Sequence, residues 1–189
     1  MSCNNKDYSS KSGCDKLGKS PFERYPKGSW KDGFVQKCEE QDCLRNAIIA
    51  ATNFDKRKMH SHQYRIGRRK MQKFGEALLQ IEEEMVIQTF DDLYGKISSK
   101  RLYGIGELTI YDTATRIGAY LKIYPEKIYL HAGTRIGAEK LLGKDKVKGK
   151  KHIEKEFLME NCPKHFQAKF RDLCPADIED ALCMYKNQF

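Results

Sequence analysis

Leu102-Tyr103-Gly104-Ile105-Gly106-Glu107-Leu108-Thr109 is the stretch whose reading settles the fold. Two glycines around one isoleucine make a tight turn, because glycine takes left-handed backbone geometry without a steric penalty. Beyond Gly106 the apolar residues Ile110, Ala114, Ile117 and Leu121 fall at i, i+4, i+7 and i+11, which predicts a helix over residues 107–121. Upstream, Thr89-Phe90-Asp91-Asp92 reads as the capped start of a short helix through Ile97. Two helices therefore meet at a glycine turn. Free amides of the second helix's first turn point outward there, and the helix dipole favours an anion in front of them. Ile105 is expected to plug into the core and fix the turn.

Working outward, Met71, Phe74, Leu78 and Ile81 share one helical face in a segment that starts near Tyr64. Arg68, Arg69 and Lys70 open that helix and Glu82, Glu83 and Glu84 close it, the reverse of what the helix dipole favours. Leu44, Ala47, Ile48 and Ala51 predict one helix over residues 35–52, and residues 133–142 predict another. Pro175 announces a final helix carrying Ile178, Ala181, Leu182 and Tyr185. Only residues 127–131 read as extended. The expected class is all-α: one helical domain over residues 34–189, with the hairpin at about 89–121. A flexible polar arm precedes it over residues 1–33, Trp30 and Phe34 marking where packing begins. Thr115-Arg116-Ile117-Gly118-Ala119 recurs as Thr134-Arg135-Ile136-Gly137-Ala138, which two small-residue helix faces packing closely would explain.

Composition narrows the function. The chain has 189 residues, 40% of them hydrophobic, which suits a globular protein. No apolar run approaches the roughly 20 residues of a membrane span, and residues 1–8 lack a secretory pattern, so a cytoplasmic protein without membrane partners is expected. Seven cysteines give no regular framework. The Cys38/Cys43 and Cys162/His165 pairs miss the strong zinc spacings, so these cysteines read as small buried hydrophobes and no metal site is expected.

The net charge is +9, and it is clustered: eight Lys/Arg and no acid lie between Lys56 and Lys73, and five lysines against Asp145 lie in residues 144–151. Such clusters attract phosphate polyanions and release their counterions. An acidic protein is the rival partner for the same charge.

The pattern L-x-G-I-G-x-x-T at Leu102–Thr109 resembles the helix-hairpin-helix motif. That resemblance implies non-specific grip on a DNA backbone by the amides of Gly104, Gly106 and Glu107, with Thr109 in support and a monovalent cation at the hairpin carbonyls. Arg65, Arg68, Arg69 and Lys73 would add phosphate contacts. Glu107 departs from expectation, placing an acid at the phosphate end.

Downstream, Pro125-Glu126-Lys127-Ile128-Tyr129-Leu130-His131-Ala132-Gly133-Thr134-Arg135 is similar in spacing to the second signature of the helix-hairpin-helix DNA glycosylases. The catalytic Asp of that family is Leu130 here, and the lysine of its bifunctional members is Leu108. Leucine cannot stabilise a developing cation, activate water or form a Schiff base, so classical base excision is not expected. Cys162, Cys174 and Cys183 do not reproduce the family's iron–sulfur spacing. Residues 62–66, 129–135 and 182–186 also look like a group of bacterial proteins without assigned activity, a likeness that supplies no mechanism.

Two alternatives to simple backbone binding stand beside this. Asp112, His131 and Arg135 could form an acid/base pair with an anion clamp, giving an enzyme on nucleic acid or a nucleotide. The chain could instead be an interaction module for an acidic protein.

Overall fold

The computed structural model describes residues 25–52 and 61–189, and it is predominantly helical. In chain order the elements are α1 (Gly33–Glu39), α2 (Leu44–Ala51), α3 (Ser61–Tyr64), α4 (Arg68–Leu79), a 3-10 turn (Glu82–Glu84), α5 (Phe90–Ser99) and α6 (Glu107–Leu121). There follow β1 (Ile128–Tyr129), α7 (Ala132–Leu142), α8 (Lys144–Val147), β2 (His152–Ile153), α9 (Lys155–Asn161), α10 (Lys164–Arg171) and α11 (Pro175–Met184).

Local chemistry sets the boundaries. The Thr89 hydroxyl accepts from the Asp92 amide while the Asp92 carboxylate accepts from the Thr89 amide, a reciprocal cap that starts α5. Lys122 ends α6 in left-handed geometry, φ 60°. The helix expected over 35–52 is two helices. Asp32 caps the first, accepting from the amides of Phe34 and Val35, and the chain turns before Leu44. The helix expected from Tyr64 is likewise broken, because Gly67 adopts φ 86° and α4 begins only at Arg68.

Two hydrophobic cores form. The first gathers Cys38, Ile48, Met71, Phe74, Leu93, Ile105 and Ile117 from α1–α6. The second gathers Tyr25, Ile128, Leu130, Phe170, Ile178 and Leu182 from the segments flanking and following β1. Strand geometry divides them: successive side chains of an extended segment point to opposite faces. Tyr129 enters the first core while Ile128 and Leu130 enter the second. β1 pairs antiparallel with β2, Ile128 opposite Ile153 and Tyr129 opposite His152.

Packing begins earlier than Trp30. Tyr25 is 1% exposed, its hydroxyl donates to Asp180 at 2.8 Å, and Asp177 accepts from the Gly28 amide at 2.7 Å. Of the polar arm expected over 1–33, residues 25–28 are packed against α11. Residues 1–24 and 53–60 lie outside the described structure, and with them Lys56, Arg57 and Lys58 of the first basic cluster. No helix among the described residues is long and apolar enough to cross a membrane.

The glycine of each copy of the repeated pentapeptide sits where another backbone approaches closely. Gly118 lies under the Ile123 carbonyl at the end of its own helix, and Gly137 lies under the Leu182 carbonyl of α11. A methyl at Gly137 would strike backbone that cannot turn aside, so Gly137→Ala should lower stability by about 2–3 kcal/mol. Gly95, in the interior of α5, has nothing within 4 Å of a would-be Cβ. Gly95→Ala should therefore raise stability by about 0.5–1 kcal/mol through helix propensity. Urea melts of the two variants check the opposite signs.

Candidate nucleic-acid interface and interlobe cleft

The turn between α5 and α6 is built around one buried side chain. Ile105 is fully buried, and its amide donates to the Leu102 carbonyl at 3.0 Å. Its carbonyl accepts from Arg101 Nε at 2.6 Å. With the isoleucine held inward, Gly104 (φ 84°) and Gly106 face solvent. Gly106 opens α6 without a side-chain cap, which leaves the first-turn amides for solvent or a ligand.

A second uncapped helix start meets the first. α4 opens on Gly67, also without a side-chain cap, and its first turn carries Arg68, Arg69 and Lys70. Lys70 Nζ lies over Gly104, 2.6 Å from the position a Cβ there would take. Arg65, Arg68, Arg69 and Lys73 are exposed, and Ile66, Gly67, Arg68, Arg69, Lys70 and Lys73 line a shallow depression of about 540 Å³. Basic cluster and glycine turn thus share one face. Lys70, the residue that joins them, was not among the expected contacts, although its place in the basic run was visible. Arg101 was missed too, and it already engages one hairpin carbonyl on which a monovalent cation would depend. Thr109 is buried, and its carbonyl accepts from the Thr113 hydroxyl at 2.7 Å.

Beside the turn a cleft of about 510 Å³ runs between the two cores. α5 and α6 supply Asp91, Tyr94, Glu107 and Tyr111 to its wall, and the other side supplies Tyr129, Leu130, His131, Lys151 and His152. The rings of Tyr94 and Tyr111 lie 4.9 Å and 5.4 Å from that of Tyr129. Asp91 closes one end. It accepts from Lys127 Nζ at 2.7 Å and from the Tyr129 hydroxyl, and these donors, the lysine foremost, hold its carboxyl below the usual range. Leu130 is 2% exposed in this wall, so an apolar side chain stands where the glycosylase likeness puts an acid.

Arg135 does not converge with Asp112 and His131. Asp112 lines a separate cavity of about 120 Å³ with Trp30, Asp32, Thr115, Arg116 and Glu179, and Tyr111 forms the wall between that cavity and the cleft. His131 is 4% exposed and pairs with Glu179, which also accepts from the Thr134 hydroxyl. Arg135 points elsewhere: its guanidinium donates to the carbonyls of Leu130 at 3.1 Å, Lys150 at 2.7 Å and Val147 at 3.4 Å. Three backbone acceptors make it a positioning residue for β1 and the second lysine run, unavailable as an anion clamp. Among the described residues no group of His, Cys, Asp and Glu side chains is placed to hold a metal ion.

Comparison with protein-family models, with curated proteins and with solved structures gives no match.

The His131–Glu179 pair yields a test of interlobe packing. Burial disfavours the imidazolium, but the Glu179 charge and hydrogen bond outweigh it, with Asp112 and Glu107 adding to the field, and the pKa of His131 is raised. A group whose folded pKa exceeds its unfolded value contributes stability that is full below about pH 6.5 and lost as pH rises through the folded value. Asp180, pushed up to about 6 chiefly by burial, adds a slope of the same sign. The difference between wild type and His131→Gln isolates the histidine: thermal melts from pH 5 to 9 should show a smaller loss of Tm across this window in the variant.

Proposed function

We propose that this protein binds nucleic acid, most simply DNA, along its sugar-phosphate backbone, using a helix-hairpin-helix formed by α5, the glycine turn and α6. The observation that carries this reading is the seating of Lys70 over Gly104, which puts the basic start of α4 beside the uncapped start of α6. Helix N-termini and nearby lysine and arginine side chains are the groups that hold phosphate oxygens. Gly104, Gly106 and Glu107 supply the amides; Arg65, Arg68, Arg69, Lys70 and Lys73 supply the charge. Such contacts fix position and carry no base information, so little sequence preference is expected.

Salt is the test. Each phosphate neutralised contributes about 0.9 to the slope of log K against log salt on duplex DNA. Arg69→Ala with Lys73→Ala should lower affinity for unrelated sequences alike and flatten that slope by about two. Anisotropy titrations at several salt concentrations decide it, and binding that ignores salt would remove the proposal.

The cleft favours one second reading, an enzyme on a nucleic acid or nucleotide. Its walls are aromatic, and two carboxylates line it. Asp91 is committed to Lys127 and Tyr129, which leaves Glu107 as the acid placed to act, in the role once expected of Asp112. On this reading Glu107→Gln abolishes turnover of an oligonucleotide substrate while leaving its Kd within about twofold. Turnover that survives the substitution excludes Glu107.

A further inference from the structure

We infer that the nucleic acid taken by this face is single-stranded, with bases stacked on Tyr103 and Tyr64. The inference rests on the backbone-binding reading above and names its substrate class.

Among the described residues the large apolar side chains left exposed are Tyr64, Val86, Tyr103, Ile136 and Met184. Isolated exposed side chains need no explanation in general. The two aromatic ones here share a setting the others lack. Tyr103 is 98% exposed and sits in the glycine turn itself, directly before Gly104, over which Lys70 lies. Tyr64 is 76% exposed and ends α3, next to Arg65 and three residues before Gly67. α3 packs against both α4 and α6. Six residues separate Tyr64 from Lys70, at most about 20 Å of chain. Tyr64 thus lies close in the chain to the basic depression, and Tyr103 adjoins the glycine that Lys70 of that depression covers, so a short oligonucleotide should span both rings.

The chemistry selects the substrate. In a duplex the base faces are hidden by neighbouring bases, so an exposed ring has only phosphates and groove edges to meet. In a single strand every base offers a face, and stacking on an aromatic side chain is tolerant of sequence. A positive groove that follows the backbone, with rings set along it, is the combination that holds unpaired strands. Tyr103 is 98% exposed and takes no part in either core, so its substitution should leave the scaffold intact.

Fluorescence anisotropy with labelled dT20, rU20 and a blunt 20-base-pair duplex, at one fixed salt concentration, tests this. Wild type should bind at least one of the single strands more tightly than the duplex. Tyr103→Ala should weaken that binding by about 5- to 150-fold, the range base–aromatic stacking supplies. It should leave duplex binding unchanged, and Tyr103→Phe should retain the wild-type affinity. Tyr64→Ala should act in the same direction. Equal loss on all three ligands, no loss on any, or tighter binding to the duplex overturns the inference while the backbone reading stands. Failure to bind all three removes the backbone reading itself.

Discussion

The burial of Ile105 is the constraint on which the glycine turn, and with it the proposed binding face, depends. A residue with glycine on either side is free to flip, and the turn would then present its amides in no fixed direction. Anchoring the isoleucine in the first core removes that freedom. The Leu102 carbonyl takes its amide and the Arg101 guanidinium takes its carbonyl, so side chain and backbone are both held. With the middle residue fixed inward, the glycines on either side have to face out. The outward geometry of the glycines is thus set first by hydrophobic packing, which is strong and non-directional, and these two hydrogen bonds fix its direction.

The same economy governs the space between the two cores. β1 contributes only two residues to its strand, yet the alternation through Leu130 assigns neighbouring side chains to different cores and leaves the cleft along the seam. Polar ties then fix the seam. Asp91 reaches across to Tyr129 and Lys127, and Glu179 holds His131 against Tyr111. Burying such groups is costly unless they are paired. Each pairing commits a group that the sequence alone offers as chemistry: His131 is tied to the Glu179 carboxylate, and Arg135 to the carbonyls of Leu130, Lys150 and Val147.

What was legible in the sequence followed from periodicity. The span of α6, the cap at Thr89, the plug at Ile105 and the proline at the start of α11 depend on neighbours within a turn or two, and each stands where the pattern puts it. The breaks at residues 40–43 and at Gly67 were not legible, because apolar residues on both sides keep helical spacing across a kink. α9 and α10 escaped because each is only about two turns long, seven and eight residues, too short for a periodic pattern to stand out, and burial of Leu158 and Phe170 in the second core holds them. The convergence of Asp112, His131 and Arg135 failed for a related reason. Spacing fixes which helix a residue occupies, whereas the direction of a guanidinium is fixed by whichever carbonyls it meets. Lys70 shows the converse: one member of a long basic run acquires meaning only from the glycine it lies over.

Charge is distributed so as to separate two tasks. Arg65, Arg68, Arg69, Lys70 and Lys73 lie around the outer face of the turn. Asp32, Asp112, Glu179 and Asp180 surround the small cavity behind Tyr111, and Asp91 and Glu107 line the cleft in front of it. On the proposed reading a phosphate is drawn to the basic rim, whereas the interior offers it acids already offset by Arg116 in the small cavity and by Lys151 in the cleft. A neutral planar ring depends on neither charge, and Tyr94, Tyr111 and Tyr129 stand in the cleft wall. The overall charge of +9 therefore understates how unevenly the charge is placed, and the proposed binding would use the rim for the backbone of a polynucleotide and leave aromatic surface for its bases.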